Sequence, residues 1–164
     1  MQCVSCHRNS RNSQEALPLI TSQIRSGPFN SVIMVDGHPF SGKSSLAKLL
    51  HVELDGIHIE TDNFLLEHRT KDSTYQDSVD LLKVDEAVRT GIKSGKYVIV
   101  DGLCLDWIVS KSHSATAFRI YMKHNCAYTK IDDERTRSRF GTDRYHELCN
   151  PEENASVIIS WSMN

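Results

Sequence analysis

No long run of like charge occurs anywhere in this sequence, and 19 Lys+Arg stand against 21 Asp+Glu for a formal net charge of −2. That balance excludes the basic stripe of a nucleic-acid binder or of a protein held on an anionic membrane. No apolar stretch is long enough to span a bilayer, and the N-terminus lacks the charged-then-apolar order of an export signal. A cytoplasmic protein is the expectation. Cysteines are few and odd in number (Cys3, Cys6, Cys104, Cys126 and Cys149), so reduced thiols are the default. Cys3-Val-Ser-Cys6-His7 spells a haem-attachment motif or half of a zinc site. With no second C-x-x-C and no export route, a loosely attached tail is the preferred reading of residues 1–30, with a short helix over Ser13–Arg25 that Pro18 confines or delays. There is no internal repeat, and no Asn-Lys-x-Asp run of the kind that reads guanine.

What is present centres on Ser31–Leu50. An apolar strand runs into Gly37-His38-Pro39-Phe40-Ser41-Gly42-Lys43-Ser44, with Ser45 next, and an amphipathic helix begins at Lys43. Strand, G-x-x-x-x-G-K-[ST] and helix together are the context a phosphate-binding P-loop requires. Gly37 lets the chain leave the strand sharply, and Gly42 lets the backbone approach an anion. The amides opening the helix then point into one hollow. Lys43 supplies a mobile charge for the outer phosphates and Ser44 a hydroxyl for Mg²⁺. Pro39 withholds one donor, and His38 contributes at most its backbone N–H. The ligand to expect is a triphosphate.

Strands and helices alternate from there, so one domain spanning residues 31–164 is predicted. The fold class is α/β: a three-layer P-loop NTPase fold with about five mainly parallel strands, helices on both faces and a short lid. Strands are predicted at Ser31–Asp36, Ile57–Ile59, Tyr97–Val100, Ala117–Met122 and Val157–Ile159. Helices are expected at Lys43–Leu54, along Leu81, Val84, Val88 and Ile92, and over the charged stretch Lys130–Arg139. In such sheets ligands bind beyond the carboxyl ends of the strands.

Two acids stand at those ends. Asp101 closes the third of these strands and can hold the Mg²⁺ shell with Ser44, although Asp-Gly is also a good turn. Asp62 closes the second and can deprotonate a hydroxyl acceptor, or cap a short helix. Glu60 is the second choice for that base. Arg135 and Arg139 share one face of the charged helix and can close over the phosphates, whereas Arg137 lies four residues beyond Asp133 and can pair with it. Arg144 follows at the lid's return. Trp107, Trp161, Tyr75 and Tyr128 are either base-stacking rings or packing.

Four stretches resemble the small-metabolite P-loop kinases of the uridine kinase, phosphoribulokinase and pantothenate kinase group, close to the nucleoside kinases. They are GHPFSGKS at 37–44, IETDNFLL at 59–66, GKYVIVDGL at 95–103 and YHELCNPEENASVII at 145–159. The resemblance implies that Asp62, followed by Phe64, activates the substrate hydroxyl. It also implies that Asp101 is the acid near the metal and that Pro151–Ser156 walls the nucleotide base. This chain departs from the group in carrying Asp101 where Glu is frequent, in Pro39, and in a lid stretch that begins Lys130-Ile-Asp-Asp with its arginines later.

The expected function is ATP- and Mg²⁺-dependent phosphoryl transfer to the hydroxyl of a small metabolite, a nucleoside first. Lys43, Asp62, Arg135 and Arg139 would be its catalytic residues and Ser44 and Asp101 its metal residues. The alternatives are a degenerate nucleotide-binding module and a nucleoside monophosphate kinase, for whose acceptor phosphate Arg69 and Lys71 are the nearby cations.

Overall fold

The computed structural model describes residues 2–5, 10–28, 31–68, 73–124 and 141–161. Six parallel strands form one sheet: β1 (Gln2–Ser5), β2 (Val32–Gly37), β3 (Ile57–Glu60), β4 (Val98–Asp101), β5 (Phe118–His124) and β6 (Val157–Trp161). Their spatial order is β1-β6-β5-β2-β4-β3, which puts β2, the strand feeding the phosphate loop, between β5 and β4. The helices are α1 (Ser10–Ser26), α2 (Lys43–Glu53), α3 (Leu81–Lys93), α4 (Leu105–Ile108), α5 (Lys111–Ser114) and α6 (Thr142–Cys149).

Side-chain alternation along β2 explains the three layers. Ile33 and Val35 face a core shared with Ile20 and Ile24 of α1 and Leu46 and Leu50 of α2. Val32 and Met34 face the opposite core, with Val84 and Val88 of α3 and Leu105 of α4. All six residues of β2 are buried, as in a central strand covered on both faces.

Two N-terminal expectations need correction. Gln2–Ser5 is not tail but a sixth strand, paired in parallel with β6 in the register Gln2↔Val157 to Ser5↔Ser160. Main-chain hydrogen bonds to an open sheet edge can place such a strand without an apolar run to announce it. The helix covers Ser10–Ser26 and runs through Pro18 instead of starting after it. An interior proline costs about 3 kcal/mol. Burial of Ala16, Ile20 and Ile24, four apart on one face, opposes that cost. Ala16, Ile20 and Ile24 therefore tie α1 to the domain's core. Among the described residues no helix is long and apolar enough to cross a membrane.

Candidate active site

The phosphate loop is built by close approach. A Cβ on Gly37 would lie 2.0 Å from the carbonyl oxygen of Met122 on β5, and Gly37 holds φ at 139°, so no side chain fits there. The next amide, His38 N–H, donates to that same Met122 oxygen at 3.0 Å. This corrects one expectation: the His38 amide anchors the loop to β5 and does not point at a phosphate. Ser41 N–H likewise turns inward, to His38 O at 3.3 Å.

The donors lie at the other end of the loop. Gly42, with φ 88°, is the N-cap of α2 and supplies no side-chain cap. The first helical bond runs from Leu46 N–H to Gly42 O at 3.1 Å, which leaves the amides of Gly42 to Ser45 as the open first turn. These four residues, Pro39 and the largely exposed Phe40 line a cavity of about 570 Å³, the size of a small-molecule site. Gly37, His38 and Ser41 do not line it.

Lys43 Nζ donates to Gly37 O at 3.3 Å and to His38 O at 2.6 Å, so the side chain curls over its own loop. Burial pulls its amine below the usual lysine range, against the pull of the Asp36, Asp101 and Asp62 charges. A triphosphate fits this cradle: open amides, an uncapped helix start and a buried cation converge on one hollow.

The two strand-end acids meet there. Ser44 Oγ donates to Asp101 Oδ2 at 2.6 Å, and His58 Nε2, on β3, bonds the other oxygen, Oδ1, at 2.5 Å. Ser44 and Asp101 are hard oxygen donors side by side beside the phosphate cradle, which suits Mg²⁺. Among the described residues no group of three or more His, Cys, Asp and Glu could hold a metal alone, so phosphate oxygens and water would complete its shell. Gly102 has a packing reason as well: a Cβ on it would lie 1.9 Å from Thr61 Oγ1.

Strand β3 ends at Glu60, and a 3-10 turn over Thr61–Phe64 carries Asp62 into the lining of the cavity. Glu60 lines the same cavity, so both carboxylates proposed as base reach it. Asp62 Oδ1 accepts from Tyr75 Oη at 2.6 Å. Tyr75 packs in the core beside Val79 and Val84, and its hydroxyl adds a contact that depends on a fold-back invisible to local pattern. Burial and the Asp62 carboxylate both push its phenol far above the usual range.

A second group escaped sequence reasoning altogether. Asp36, at the end of β2, accepts from Gly37 N–H at 2.7 Å, from Leu105 N–H at 3.1 Å and from Tyr145 Oη. Burial raises its carboxyl above 3.8, opposed by the Tyr145 hydroxyl, the Gly37 amide, the Lys43 charge and the Leu105 amide. The only local signal was an acid closing an apolar strand immediately before the glycine. Trp107 packs edge-on against Tyr145 at 5.1 Å, and Pro151–Ser156 does not line the cavity. Arg144 lies on the exposed side of α6. Arg135, Arg137, Arg139 and the lid stretch Lys130–Arg139 lie outside the described residues, as do Arg69, Lys71, Tyr128, Cys6 and His7.

No protein-family model matches the chain, and no curated protein does. Among solved structures it is similar to a possible uridine kinase from Bacillus stearothermophilus. Identity is 15%, the TM-score is 0.62, and the match covers 89% of this chain and 98% of that chain. At that identity the likeness is one of fold, the α/β arrangement of a parallel sheet with helices on both faces.

Proposed function

We propose that this chain is an ATP- and Mg²⁺-dependent kinase that transfers a γ-phosphoryl group to the hydroxyl of a small metabolite, with nucleosides the first acceptors to try. One observation carries the reading: a single cavity is lined both by the phosphate cradle of Gly42 to Ser45 and by Asp62. A hydroxyl bound between them faces a base on one side and the transferring phosphorus on the other. Asp62 takes the acceptor's O–H proton, the oxygen bonds to the γ-phosphorus, and the bond to the β-phosphate oxygen breaks to release ADP. Lys43 and the open amides stabilise charge on the phosphates, while Ser44 and Asp101 would hold the cation. When bound, Mg²⁺ neutralises phosphate charge and fixes the chain's geometry. Arg135 and Arg139 are proposed to close over the transferring group.

Among the described lining residues Glu60, Asp62 and Asp101 are the acids and Lys43 is the cation. A nucleoside monophosphate acceptor would call on Arg69 or Lys71 for its phosphate. The likeness in fold to a possible uridine kinase supports a nucleoside acceptor, and the cytoplasm is the proposed site of action.

Calorimetric titration with ATP, run beside a coupled ADP-release assay over the ribonucleosides and their monophosphates, tests this. Turnover on a nucleoside supports the kinase. ATP binding without turnover on any acceptor would make the chain a nucleotide-binding module instead.

A further inference from the structure

Asp62 is held by more than its own backbone. After the 3-10 turn, Leu65 and Val79 form an antiparallel bridge, Leu66 N–H donates to Ser78 O at 2.8 Å, and Asp80 N–H donates to Phe64 O at 2.8 Å. These bonds fold residues 75–80 back over the segment that follows Asp62. Ser78 Oγ bonds Thr74 O at 2.8 Å and tightens the turn carrying Tyr75. The phenol is delivered, buried to 6% exposure, against the carboxylate.

We infer that Tyr75 is a positioning residue for the Asp62 base, and that Thr61 is its anchor; the inference rests on the kinase reading above. Tyr75 Oη donates to Asp62 Oδ1 at 2.6 Å and lies 2.6 Å from Thr61 Oγ1, which also reaches Asp101 O at 3.1 Å. Three contacts share two hydroxyl protons. With Asp62 ionised, the phenol proton goes to the carboxylate, because a charged acceptor outcompetes a neutral hydroxyl. Thr61 then gives its proton to Tyr75 Oη or to the Asp101 carbonyl. The result is a tether, a chain of close contacts from the end of β4 to the base, two of whose three links are hydrogen-bonded at any moment.

Among the described residues Asp62 Oδ2 has no hydrogen-bond partner, so it is the oxygen left for the acceptor hydroxyl. Tyr75 thereby settles which oxygen works and where it sits. Thr61 is fully buried and Gly102 leaves it room, so the anchor cannot drift. The carboxylate's χ2 torsion is broad and roughly twofold by itself, and a single strong donor on one oxygen removes that freedom.

The test is a double-mutant cycle on the full chain, read by ADP release with the ribonucleoside panel and by ATP titration. Tyr75→Phe should lower kcat roughly 10–100-fold while KM and Kd for ATP stay at wild-type values, the scale of a misplaced catalytic group. In the Asp62→Asn background the same change should cost no more than about twofold, because the tether then has no base to place. Thr61→Val should lower kcat in the same direction and Thr61→Ser should restore it; this pair carries the test if Tyr75→Phe gives no cooperative thermal transition. Wild-type kcat in Tyr75→Phe with a collapsed Asp62→Asn would overturn the tether alone. A full further loss in the double variant would also overturn it, since Tyr75 would then act apart from Asp62. Undiminished turnover in Asp62→Asn, or no wild-type turnover on any acceptor, would overturn the kinase reading and the tether with it.

Discussion

Ser44 Oγ and Asp101 Oδ2 lie 2.6 Å apart, although 57 residues separate them in sequence. The first opens α2 and the second closes β4, so their contact joins the phosphate loop to the adjacent strand's carboxyl end. Asp101 thus faces the place where a cation on the phosphates would sit.

Replacing Asp101 with Asn removes that charge while keeping the shape. The Mg²⁺ concentration for half-maximal turnover should rise roughly 10–100-fold, the scale seen when an outer-shell partner of a metal is removed. Ser44→Ala should move it in the same direction. Turnover measured across a Mg²⁺ series checks both variants, and an unchanged midpoint would exclude Asp101 from the metal's surroundings.

Gly37 and Gly95 separate two reasons for glycine. Gly37→Ala meets the Met122 carbonyl at 2.0 Å and should cost about 2–4 kcal/mol, since backbone must move and the His38-to-Met122 bond with it. Gly95→Ala meets nothing within 4 Å and suffers only its φ of 75°, so about 1 kcal/mol is expected. Urea unfolding of both variants reads the difference.

Asp36 gives a pH-dependent prediction. Its folded carboxyl titrates above 3.8, so below 3.8 it is protonated in folded and unfolded chains alike and carries no charge penalty. As pH rises through the raised folded value, the folded chain must bury a charge and loses stability. Asn at this position does not titrate. The stability of wild type minus that of Asp36→Asn should therefore be greatest below 3.8, decline as pH rises, and level off above the folded value. Urea midpoints for both chains across a pH series measure this, and a flat difference would contradict it.

The parts of this site readable in the sequence are those set by local rules. Gly37 to Ser44 announces itself because turn, cradle and helix start occupy consecutive residues. Asp101 is legible because an apolar strand ending in an acid delivers that acid to the sheet's carboxyl edge, while Asp62 lies two residues past the end of β3 on a 3-10 turn. Tyr145 meets Asp36 across 109 residues, and no periodicity reports such a contact. Tyr75 reaches Asp62 only through the Leu65–Val79 bridge, whose residues carry no strand pattern of their own. Gln2–Ser5 is short and largely polar, so its place at the edge of β6 rests on backbone pairing and left no apolar signature. Pro18 suggested a boundary that the buried face of α1 overrides.

The most direct measurement of the central claim is Asp62→Asn, assayed for ATP affinity by calorimetry and for ADP release on a nucleoside accepted by the wild type. Asp62 lines the cavity, and among the described residues no hydrogen bond joins it to the amides of Gly42 to Ser45, so ATP affinity should stay within about twofold of wild type. Turnover should fall roughly 10²–10⁴-fold, the usual worth of a general base. Wild-type turnover in Asp62→Asn would contradict the account and remove this carboxylate from the reaction.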